Sequence, residues 1–155
     1  MFAYTNYEEM QRFKDVINKI IFDADNIEIS CPLGTNLKGT IDKKNINQNK
    51  DTSVVRFPVV VPSPILAKNF SGEVVLDGYL TSTGSKVYEP ISLKIESPVT
   101  ATILNGKIAN LNGEKKVVEK IEKHYETVSK NFNIDHDIVH SWHAGIHPAC
   151  SFDHP

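Results

Sequence analysis

The dipeptide Asn105-Gly106 constrains this chain more than any other feature. Both residue types tolerate positive φ, which a two-residue hairpin turn demands at its two central positions. It lies between Val99–Leu104 and Lys107–Leu111, two runs of strand length that it should pair. An isolated hairpin is marginal in water, so further strands or a helix must cover one face. The flanking sequence supplies both. Ile27, Ile29 and Cys31 alternate with polar residues, and Pro32-Leu33-Gly34-Thr35-Asn36 turns the chain towards Leu37, Gly39 and Ile41, which reads as a second hairpin. Val54–Val61, Gly72–Tyr79 and Ile91–Glu96 read as further short strands. Pro62-Ser63-Pro64 closes the first of these, since proline cannot donate to a ladder. Lys43 to Thr52 is a polar loop whose lysines are most simply solvated.

Two helices bracket the strands. The first spans roughly Tyr7 to Ile21, with Asn6 as N-cap and Glu9 at a capping-box position. Met10, Phe13, Ile17, Ile20 and Ile21 recur at helical spacing as its apolar stripe, better explained by core packing than by a cofactor. The second runs from about Glu114 to Asn131 after Asn112-Gly113, burying Val117, Val118, Ile121, Tyr125 and Val128. His124 adjoins that stripe and reads as a surface or satisfied histidine rather than a ligand. The expected fold is α+β: an antiparallel β unit of hairpins flanked by an N-terminal helix and a long helix near the C-terminus. All 155 residues suit a single domain.

Composition excludes some functions. A net charge of −2 with no basic stripe argues against nucleic acid as main partner. The N-terminus lacks the charged and apolar regions of a signal peptide, and the longest apolar stretch, around Phe57 to Pro62, is too short to span a bilayer. Cys31 and Cys150 have no paired spacing and read as free thiols in a reducing compartment. The expectation is a cytoplasmic protein without a membrane partner. Phosphate-loop and nucleophile-elbow motifs are missing from the sequence. Cys150 near His147 and Asp153 is better read as a plain cysteine than as a nucleophile.

Chemistry concentrates at the C-terminal end. His136, His140, His143, His147 and His154 lie there, interleaved with Asp135, Asp137 and Asp153. Imidazole and carboxylate are the usual ligands for zinc, iron, manganese and nickel, although a solvated tail can have the same composition. Helical spacing would align His140, His143 and His147, but Gly145 and Pro148 interrupt it and no His-Glu-x-x-His pattern occurs. A strand or loop is more natural for Ile138 to His143. On a strand, His143 shares a face with Ser141 and Val139, and His140 and Trp142 lie on the other. One or two histidines then serve as ligands and the rest orient ligand or substrate. Trp142 is a packing residue beside them.

Trp142-His143-Ala144-Gly145-Ile146-His147-Pro148 resembles the family that joins thermophilic metallopeptidases of the aminopeptidase T type to iron-dependent 2,5-dihydroxypyridine 5,6-dioxygenases. Ile27 to Leu37 is similar to that family's strand and Pro-x-Gly-Thr-Asp-Leu turn. Phe57 to Tyr79 is similar to its proline turn and Gly-x-Val-Val-x-Asp-Gly strand, and Val99 to Glu114 to its hairpin before a helix. The departures are specific. Isoleucine occupies position 65, after Pro62-Ser63-Pro64, where the peptidases carry a metal-binding glutamate, and His143 stands where they carry a second one. Two lost carboxylates disfavour a two-metal hydrolase. A histidine instead fits one ferrous ion held by two histidines and a carboxylate. The resemblance thus implies a ring-cleaving, Fe(II)-dependent dioxygenase-like domain with His143 as ligand and His147 and His140 as second-shell or substrate contacts. It also implies that the chain is the central part of a larger protein, lacking an N-terminal α/β region and the C-terminal His-x-Asp ligand segment, and is catalytically incomplete alone. The substrate would be an aromatic diol. The alternatives are an aminopeptidase relative using zinc, cobalt or manganese on short peptides, and a non-catalytic binding module; self-association is left open.

Overall fold

The computed structural model describes residues 6–43, 61–82 and 88–146. These fall into two compact units, one drawn from Met1–Ile27, Gly39–Asn69 and His140–Pro155, the other from Glu28–Lys38 and Phe70–Val139. The expected strand Val54–Val61 and most of the loop Lys43 to Thr52 lie outside the described residues.

In the first unit, helix α1 spans Tyr7–Asp23. Asn6 caps it, its Oδ1 accepting from the N–H groups of Glu8 and Glu9 at 3.1 and 3.3 Å. The docked face differs from the expected stripe. Lys14 is buried, whereas Phe13 and Ile20 are 52% and 63% exposed. Polar anchoring sets this rotation. Asn18 Oδ1 accepts from the Ser63 N–H at 2.7 Å, which turns the face of Met10, Lys14, Asn18 and Ile21 inward.

A five-stranded sheet has the order β1-β2-β4-β5-β6, with β1 at Asn26–Ser30, β2 at Asn36–Thr40, β4 at Phe70–Thr81, β5 at Ser92–Leu104 and β6 at Lys107–Asn112. The first hairpin is as expected. Backbone bonds from Cys31 to Thr35 and from Ile41 to Asp25 pair its arms in opposite directions. Asn105 and Gly106 adopt φ of 50° and 73°, and Leu104 pairs with Lys107 across them. This is the geometry of the two-residue primed turn.

The expected strands Ile91–Glu96 and Val99–Leu104 are one strand, β5. It passes through Ser97-Pro98 by a bulge: Leu76 pairs with Val99 and Gly78 with Ile95, so Glu96, Ser97 and Pro98 all lie opposite Asp77. Pro98 therefore sits where no ladder donor is required. The two extra residues keep the alternation in phase, and Leu93, Ile95, Val99, Ala101 and Ile103 are all buried. Helix α2, Lys115–Phe132, closes the core by packing Val117 and Ile121 against Leu93, Ile95 and Val99. It ends at Asn133, whose left-handed φ of 52° is a common helix stop. Among the described residues no helix is long and apolar enough to cross a membrane.

Candidate functional site

His140 and His143 flank a short two-stranded ribbon in the first unit. Pro62 and Pro64 themselves cannot donate to a ladder, and β3 is only Ile65–Leu66, followed by a 3-10 turn at Ala67–Asn69. Its partner β7 is Ser141–Trp142, antiparallel, with Ile65 opposite Trp142 and Leu66 opposite Ser141. The Ala67 N–H donates to the His140 carbonyl at 3.0 Å and fixes the entry to β7. Position 65 sits across from Trp142 and presents its aliphatic side chain on the face of Trp142, not on that of Ser141.

Ser141 Oγ lies 2.9 Å from His143 Nε2 and 3.2 Å from His140 Nδ1. That contact puts His143 on the Ser141 side of the chain, although it lies just past the two-residue strand. His140 is not confined to the opposite face with Trp142, because β7 is only two residues long and His140 precedes it. One hydroxyl between two imidazoles can link them in either direction, set by the ring tautomers, since Ser141 has one proton to donate. If His143 Nε2–H donates to Oγ, then Oγ–H donates to His140 Nδ1, and His143 Nδ1 keeps its lone pair exposed. That arrangement, with one ring nitrogen tied to an oxygen and the other open, is typical of metal-ligating histidine. Both rings are exposed. Among the described residues no Asp, Glu or Cys joins them in a ligand group. His147 lies outside the described residues.

A different cluster forms in the second unit. Ligand atoms of Asp135, His136 and Asp137 lie within 4.8 Å of one another. Sequence reasoning noted these residues as part of the histidine-rich stretch but did not group them; the adjacent Asp-His-Asp triplet was the available signal. Their grouping comes from a tight turn, with the Asp137 N–H donating to Asp135 Oδ1 at 3.0 Å. His136 Nε2 sits 3.0 Å from Asp137 Oδ1, and Lys107 Nζ lies 3.7 Å from Asp135. Such a set can hold a divalent cation, yet its members already satisfy one another and are largely exposed.

Cys31 is exposed beside the first hairpin turn. Hydrogen bonds from the Thr35 hydroxyl, then from the Thr35 and Leu33 backbone, favour its thiolate and pull its pKa below the ordinary thiol value. Alkylation by iodoacetamide across a pH series should therefore reach half its maximal rate at lower pH than for free cysteine. Thr35→Val should return that midpoint towards the free value, and an unchanged midpoint would remove the hydroxyl as the cause.

No family model, characterised protein or solved structure matches this chain.

Proposed function

We propose that this chain carries part of a mononuclear metal centre of the ring-cleaving dioxygenase type, with His143 as a metal ligand and Fe(II) as the favoured ion. The observation that supports this reading is the Ser141 hydroxyl 2.9 Å from His143 Nε2, which orients the imidazole and leaves its other nitrogen open. The resemblance would put a metal-binding glutamate at position 65, and Ile65 has no donor to offer a second ion, which disfavours a two-metal hydrolase. An imidazole oriented by Ser141 suits a single ferrous ion. Fe(II), when bound, supplies redox chemistry towards dioxygen and an aromatic diol. The described donors fall short of two histidines and a carboxylate, so no catalytic step is assigned to them. His140 acts through Ser141 as an orienting group, and His147 completes the same reading as a second-shell or substrate contact.

Anaerobic calorimetric titration of the protein with Fe(II) tests the assignment. His143→Ala should weaken binding by at least about tenfold, and Ser141→Ala by about tenfold, the usual effect of removing an orienting partner. His136→Ala should leave binding unchanged. Undiminished binding by His143→Ala would overturn the reading, and loss in His136→Ala alone would move the ion to the Asp135–Asp137 turn. Release of amino acids from short peptides with added zinc, cobalt or manganese would favour the aminopeptidase alternative. Thermal stability unchanged by every divalent ion would favour the non-catalytic module, because an ion that binds only the folded state must stabilise it.

A further inference from the structure

A second cleft, in the unit formed by the sheet and α2, has its own chemistry. It measures about 360 Å³ and is walled by Tyr88, Leu93, His124 and Val128, with Lys120 and Lys123 among its lining residues. Its volume is within the range of small-molecule sites. The wall is aromatic: the Tyr88 ring lies 5.6 Å from His124 and 5.8 Å from Phe132, at tilted to edge-on angles.

His124 is the informative residue. It is 8% exposed, yet it makes no hydrogen bond among the described residues. Its ring nitrogens are not among the buried polar atoms left without a partner, so with no protein hydrogen bond they open to solvent, and the residue lines the cleft. Burial pulls its pKa below the ordinary imidazole value, so at neutral pH the ring is uncharged and offers one donor and one acceptor. The cleft is where a partner can reach it. The charges around the cleft are biased too. Among the described residues Glu89 is the one carboxylate lining it, against two lysines, and Lys120 is engaged with Glu96 at 3.2 Å. Lys123 carries no ion pair among the described residues.

We infer that this cleft binds a small planar aromatic carboxylate. The ring packs against Tyr88, Leu93 and Val128, the carboxylate faces Lys123, and His124 hydrogen-bonds to the ligand's polar edge. Neither the metal reading nor His143 enters this argument, so the two can fail separately.

Saturation-transfer NMR with benzoate as probe, on the whole protein, tests it. Transfer to the benzoate ring protons is expected, together with a shift of the His124 ring proton resonances. Benzyl alcohol, which has the same ring without the charge, should bind at least about threefold more weakly, and acetate should show no transfer. Lys123→Glu, on the exposed side of α2, should weaken benzoate about fivefold or more while leaving the fold unchanged. Thr127→Trp, which fills the cleft from its rim, should abolish transfer. Absence of transfer from the wild type would overturn the site, as would transfer that survives Thr127→Trp. Equal binding of benzyl alcohol and benzoate, or indifference to Lys123→Glu, would overturn the assignment of an anionic ligand.

Discussion

Alanine at position 72 is expected to destabilise the protein by about 3 kcal/mol or more, the sum of backbone strain and overpacking. Gly72 adopts a φ of +139°, a region that side-chain-bearing residues rarely enter. A Cβ built there lies 2.2 Å from the Asn36 carbonyl oxygen and 3.0 Å from the Leu37 Cα. Both neighbours are backbone of β2, so neither can swing aside. Relief requires β2 to part from β4, and Leu37, which is fully buried, would be drawn out with it. For a chain of this size the corresponding fall in melting temperature is roughly 10 °C. Thermal unfolding of Gly72→Ala followed by circular dichroism measures it. A melting temperature within a degree or two of wild type would show that the close approach of the strands is not required.

Ile121→Ala should cost a similar amount, about 3 kcal/mol, for a different reason. Ile121 is 1% exposed on α2 and packs in the cluster with Leu93, Ile95, Val99 and Val117. Truncation removes buried methyl and methylene groups and leaves a cavity, and Ile→Ala changes at such sites cost about 2–5 kcal/mol. The wall opposite Ile121 is a strand fixed by ladders on both sides, which limits how far it can collapse into the gap. Urea unfolding should show a lower midpoint with an unchanged slope, the mark of lost stability without a change in the surface exposed. A loss below about 1 kcal/mol would mean that α2 does not close the core as described.

Features governed by short-range chemistry could be read directly from the residues. The Asn105-Gly106 turn, the Asn6 cap and the buried side of α2 each depend on groups a few positions apart, and each forms as expected. Features set by distant partners could not. Ile91–Glu96 and Val99–Leu104 read as separate strands, and only the opposing Asp77 shows that a bulge carries one ladder past Pro98. The docked face of α1 follows from a hydrogen bond between Asn18 and Ser63, which no helical period encodes. His124 was placed beside the correct stripe, but its burial depends on Tyr88, far away in sequence. The candidate site is similar. The histidine-rich stretch was visible, whereas the Ser141 relay and the pairing of Ile65 with Trp142 are tertiary outcomes.

That last pairing has a kinetic consequence. Strands β4, β5 and β6 and helix α2 follow one another along the chain, so their contacts close short loops and can form early. The β3–β7 ribbon joins segments roughly 75 residues apart, and its loop-closure entropy is offset by only two residue pairs. It should be among the last elements to lock during refolding and the first to open in native-state hydrogen exchange. The Ala67 amide, bonded to the His140 carbonyl, is the natural reporter. The orientation of His143 would then be acquired only after the larger sheet is already in place.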